Sequence, residues 1–68
     1  MKKITIHQLE SAINYWRERE PGDAHSIGPV ARHLATPYGL MIYNRQQTID
    51  IDSLDQLQID AIHKANVL

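Results

Sequence analysis

The stretch Ile4-Thr5-Ile6-His7-Gln8-Leu9-Glu10-Ser11-Ala12-Ile13-Asn14-Tyr15-Trp16-Arg17 decides the fold. It opens on a complete helix-start signal. Thr5 is placed as N-cap and Gln8 as N3, a capping box in which each side chain accepts the other residue's amide hydrogen, and Ile4 and Leu9 have the spacing of a hydrophobic staple. Ile6, Leu9, Ala12, Ile13 and Trp16 then recur at intervals of three and four, so they line one helical face. Glu10, Asn14, Arg17 and Glu18 fall opposite. Pro21 cannot continue the helix and Gly22 suits a turn, so the pattern predicts a helix over 5–20.

Working outward, Pro29 fits the first turn of a second helix. Its apolar positions are Val30, Ala31, Leu34, Ala35, Tyr38, Met41 and Ile42, a helical period that predicts a helix over 29–46. Pro37 sits inside it, without an amide hydrogen and with a ring that crowds the carbonyl of His33. Two outcomes follow: a kinked helix, or a break with Thr36 capping a new helix. A competing pattern makes Leu40–Tyr43 and Thr48–Ile51 a β-hairpin, although its turn lacks glycine and Leu40-Met41-Ile42 does not alternate.

Ile49-Asp50-Ile51-Asp52 alternates, which predicts an extended connector burying both isoleucines, or a small β-ribbon formed with Ile4-Thr5-Ile6. The last helix, over 55–66, repeats the start signal of the first. Asp55 caps, Gln58 stands at N3, and Leu54 with Ile59 forms the staple. The expected fold is mainly α, a small three- to four-helix bundle with a short extended connector. Its expected core is Leu9, Ile13, Trp16, Leu34, Met41, Ile42, Ile59 and Ile62.

Sixty-eight residues make a single domain near the lower limit for independent folding, and with no cysteine neither disulfides nor thiolate–metal staples can support it. Small domains often make up that deficit by oligomerising. Seven basic against eight acidic side chains give a net charge of -1, without the basic excess of a nucleic-acid-binding domain. No apolar run reaches membrane-spanning length, and Lys2-Lys3 is not followed by the apolar segment of a signal peptide. The chain therefore reads as a cytoplasmic protein.

No catalytic or metal motif emerges. His7, His25, His33 and His63 contain no pair spaced for one helix face, so no metal site is expected. Ser11, Ser26 and Ser53 lack the glycines of a nucleophile elbow. Asp50, Asp52, Asp55 and Asp60 lack the central glycine and closing glutamate of a calcium loop. The expectation is a protein that is not an enzyme and holds no cofactor.

Val30–Met41, with a break before Pro37, has the outline of a helix-turn-helix. Its second helix would begin Tyr38-Gly39-Leu40-Met41, too apolar to read base edges, which makes nucleic acid an unlikely partner and a nucleic-acid-binding regulator the runner-up. Tyrosine, tryptophan and methionine are instead enriched at protein interfaces. Tyr15 lies about 100° round the first helix from Trp16, at the edge of the apolar stripe. The candidate partner-binding residues are Tyr15, Arg17, Arg19 and Tyr43, facing an unidentified protein partner or a second copy of the chain in a homodimer.

Ile4–Arg17, together with Leu34-Ala35-Thr36-Pro37-Tyr38-Gly39-Leu40-Met41-Ile42 and Ile49-Asp50-Ile51, resembles a family of small bacterial proteins classed as a domain of unknown function. The resemblance spans nearly the whole chain. It implies a complete stand-alone protein and brings no activity, cofactor or catalytic residue with it.

Overall fold

The computed structural model describes residues 2–19 and 28–68. Its elements are strand β1 (Lys3–Thr5), helix α1 (Ile6–Arg19), helix α2 (Pro29–Tyr43), strand β2 (Thr48–Asp50), a 3-10 turn (Ile51–Ser53) and helix α3 (Gln56–Ala65). The protein is mainly α with a minor ribbon: the described residues form three helices and one antiparallel two-stranded sheet. The predicted turn at Pro21-Gly22, with His25 and Ser26, lies outside the described residues.

α1 starts as its sequence dictates. The Thr5 amide donates to Gln8 Oε1 at 2.8 Å and the Gln8 amide to Thr5 Oγ1 at 3.1 Å. Both staple residues, Ile4 and Leu9, are fully buried. The box at α3 is the same device, with the Asp55 amide donating to Gln58 Oε1 and the Gln58 amide to Asp55 Oδ1. In both boxes the glutamine has a second task. Gln8 Nε2 donates to the Val67 carbonyl at 3.2 Å, and Gln58 Nε2 donates to the His33 carbonyl at 3.0 Å.

That last bond explains how α2 accommodates Pro37. A proline inside a helix leaves the carbonyl four residues back without its amide donor. Here that carbonyl belongs to His33, and Gln58 supplies the missing donor from α3. The helix runs unbroken from Pro29 to Tyr43, with Pro37 buried inside it. Thr36 therefore caps no new helix, and no turn divides Val30–Met41.

α2 ends at Tyr43 instead of residue 46 because Arg45 enters the left-handed region at φ 56°. The Arg45 amide reaches the Ile42 carbonyl at 3.1 Å and the Gln46 amide reaches that of Met41 at 2.8 Å. These are the two bonds of a Schellman motif, built on an arginine where glycine is usual. Leu40–Tyr43 is thus the last turn of a helix and no strand of a hairpin. β2 pairs with β1, in the register Lys3 to Asp50, Ile4 to Ile49 and Thr5 to Thr48. Flanking bonds from the Ile6 amide to the Gln47 carbonyl and from the Ile51 amide to the Lys2 carbonyl extend the ribbon at both ends.

The core holds Ile4, Leu9, Ala12, Ile13, Ala31, Leu34, Met41, Ile51, Leu54, Ala61, Ile62 and Ala65. Five of the expected core residues are buried, while Trp16 and Ile59 pack against the cluster half-buried. Ile42 is the correction: it is 53% exposed, because the face of α2 that meets α1 and α3 passes through Leu34, Pro37 and Met41.

Candidate functional site

The four predicted interface residues divide into two places. α1 and α2 run antiparallel: Glu10 meets Tyr38 on α2, while Ile6, lower on α1, meets Gln47, four residues past the end of α2. Tyr15 lies five residues beyond Glu10 and Tyr43 five beyond Tyr38, in opposite directions. At 1.5 Å per residue they are separated by roughly 15 Å along the helices.

At the first place Tyr15 is half-buried against the core and meets the Trp16 ring edge-on, with centroids 5.4 Å apart and planes at 82°. The Arg19 guanidinium lies 4.3 Å from the Tyr15 ring centroid, a cation–π contact between residues one turn apart. Both of these partners of Tyr15 come from its own helix. Arg17 is exposed and lines a shallow polar hollow with Asn14 and Glu18. The indole of Trp16 turns inward and donates to the Ala61 carbonyl at 3.0 Å, tying α1 to α3.

At the second place Tyr43 stands 84% exposed at the end of α2. Two residues that the sequence did not point to accompany it, Leu40 at 57% and Ile42 at 53% exposure. A usable signal was present: Leu40-Met41-Ile42-Tyr43 is apolar all round the helix, and a chain of this size has no second layer to cover the outer side. On that outer side Arg32, Thr36, Gly39, Leu40 and Tyr43 recur at spacings of three and four, and all five are exposed. Arg32 is the one formally charged side chain among them.

Gly39 has no structural reason to be glycine. No described glycine has a positive φ, and a Cβ built at Gly39 meets nothing within 4 Å. A glycine in a helix interior costs about 0.5–1 kcal/mol relative to alanine. No contact among the described residues offsets that cost.

The titratable groups do structural work. His33 Nε2 and Asp55 Oδ2 are 2.6 Å apart, linking α2 to the cap of α3. The Gln58 amide foremost, with His33 and the Leu57 amide adding to it, holds the Asp55 carboxyl below its ordinary range against an opposing desolvation. Tyr38 donates to Glu10 at 3.3 Å, and desolvation followed by the Glu10 charge raises its hydroxyl above the usual phenol range. Among the described residues no three histidine, aspartate or glutamate side chains converge as a metal site would require, and no helix is long and apolar enough to cross a membrane.

The model of the family described as protein of unknown function DUF3717 matches residues 2–66, and the chain belongs to that family. No curated protein and no solved structure matches it.

Proposed function

We propose that this family member is a non-enzymatic protein–protein interaction or self-association module working in the cytoplasm. The observation that supports this reading is the last turn of α2, where Leu40 and Tyr43 on the outer side, and Ile42 further round the helix, all stay exposed. Single exposed apolar residues are ordinary, but a cluster of large ones on one rigid element is characteristic of contact surfaces. Tyrosine adds the residue type most at home there, an apolar ring with a polar tip. Arg32 alone contributes formal charge to this side of α2, a poor footing for phosphate contacts and a suitable one for a desolvated protein interface.

Site-specific photo-crosslinking tests the reading. A benzophenone side chain placed at Tyr43 should capture a discrete protein species in native cells, identifiable by mass spectrometry. The same probe at His63, exposed on α3, should not yield that species. Absence of any protein adduct at Tyr43 would overturn the proposal.

A further inference from the structure

We infer that the outer side of α2 takes an acidic segment of a different protein, apolar at its centre, with Arg32 and Arg45 at the two ends of the contact. The inference rests on the interaction reading above and deepens it by naming the chemistry of the partner.

No aspartate or glutamate occurs between Asp23 and Asp50, while Arg32 and Arg45 both fall in that interval. The carboxylates of Glu10 and Asp55, which reach α2 from its neighbours, are already engaged, one by Tyr38 and the other by His33. Among the described residues neither arginine forms an ion pair. The outer side of α2 and the turn after it thus present two unmatched cations and no anion. A segment of opposite charge complements them.

Between the arginines the surface is nearly uncharged. Thr36, Gly39, Leu40 and Tyr43 follow Arg32 at spacings of three and four, and Tyr43 is 84% exposed. From Arg32 to Tyr43 the helix axis runs about 16 Å. About five residues of extended chain cover that length. The fitting segment therefore carries acidic residues towards both ends and a large apolar residue between them. A second copy laid along α2 would bring arginine to arginine in either direction, so charge selects a different chain.

Backbone geometry supports Arg45 as one of the contacts. It holds φ at 56°, and both bonds that close α2 there come from backbone amides. Glycine makes such a turn without strain, so the turn itself has no need of a guanidinium. A planar fork of donors does suit a carboxylate. Arg45 also stands within a run of exposed residues, 42–48, open to an approaching chain.

The test is selection of a phage-displayed library of random dodecapeptides on the wild-type chain. Recovered sequences should be enriched in aspartate and glutamate on both sides of a leucine, phenylalanine or similar centre. Their synthetic forms should bind more weakly as salt rises. Arg45→Gly keeps the turn, so its helical circular dichroism should match wild type while each peptide binds about 10-fold more weakly. Arg45→Lys should restore only part of that loss, because an ammonium cannot make the two-pronged bond. Lys64→Ala, which removes an exposed cation from α3, should leave the affinities unchanged.

Neutral or basic recovered peptides overturn the inference, as do acidic ones that bind Arg45→Gly as tightly as wild type or weaken equally with Lys64→Ala. A library that yields no binder overturns it too, and so does a random single-stranded DNA dodecamer that binds more tightly than the peptides. In each of these cases a protein adduct at Tyr43 leaves the interaction reading standing without its acidic partner, and absence of an adduct refutes both.

Discussion

Gln58 Nε2 lies 3.0 Å from the carbonyl oxygen of His33, the acceptor that Pro37 leaves without a donor in α2. The same carboxamide accepts the Asp55 amide through Oε1 at 3.0 Å, so one side chain closes the start of α3 and mends the middle of α2. Glutamate could complete the capping box but has no hydrogen to give. At 8% exposure Gln58 is also the one buried polar residue of the described chain, which its full set of partners permits.

This predicts energetic coupling between positions 37 and 58. Pro37→Ala returns an amide hydrogen that can take the His33 carbonyl itself. Gln58→Ala should therefore be less damaging in the Pro37→Ala background, with a coupling energy of roughly 1 kcal/mol in a double-mutant cycle by urea unfolding. Strictly additive effects would show that the Gln58 bond does not compensate for the proline.

Acid should weaken the joint between α2 and α3. The folded-state pKa of Asp55 lies below its ordinary value of 3.8, the amide of Gln58 being the main cause and His33 a further one. A depressed carboxyl stabilises the fold fully above the unfolded-state value and loses that contribution as pH falls through the folded-state value. Asn caps helices as well as Asp does but does not titrate. The stability advantage of wild type over Asp55→Asn should accordingly shrink below about pH 4. An advantage independent of pH would remove Asp55 from the acid response.

Arg45 offers a site for stabilisation. A non-glycine residue in the left-handed region carries a cost of roughly 1–2 kcal/mol, part of which glycine gives back through its greater freedom in the unfolded chain. With φ at 56° and both Schellman bonds made by backbone atoms, Arg45→Gly should keep the turn. The expected gain of about 1 kcal/mol raises Tm by roughly 4–8 °C in a domain of this size. A lower Tm would mean that the arginine side chain itself holds the turn.

Trp16 is the single tryptophan, and its indole N–H is bonded to Ala61, so its fluorescence reports the docking of α3. Urea transitions followed by Trp16 emission and by far-ultraviolet circular dichroism should coincide, as expected for one cooperative unit. An emission change that precedes loss of helix would reveal α3 separating on its own.

What the sequence revealed was local. Thr5 with Gln8 and Asp55 with Gln58 are three residues apart, and that spacing alone specifies the caps. Alternation at Ile49 and Ile51 indicated extended chain and left the ribbon with Ile4 as one of two outcomes, which the pairing of Ile4 with Ile49 decides. The fate of Pro37 was not readable, because the group that satisfies His33 arrives from 25 positions away. Nor was the end of α2, since no glycine marks the left-handed turn at Arg45. Ile42 read as core because its helix is apolar on every side, and only the placement of α1 and α3 decides which side is covered. The pairing of Arg19 with Tyr15 follows from one helical turn, whereas the separation of Tyr43 from both follows from the antiparallel packing of two helices.

The bonds that fasten α1 also set an order of events during synthesis. Its N-terminal lead-in waits for the Ile51 amide, its tryptophan for the Ala61 carbonyl and its first-turn glutamine for the Val67 carbonyl. Between completion of α1 and arrival of Val67 the ribosome adds 48 residues, about 2–10 s of translation. For that interval the stripe of Leu9, Ile13 and Trp16 lacks part of its final cover, and a nascent-chain chaperone has its widest opportunity there. In order of synthesis α1 is met first at Glu10 by Tyr38, then at Ile6 by Gln47, at Trp16 by Ala61 and last at Gln8 by Val67.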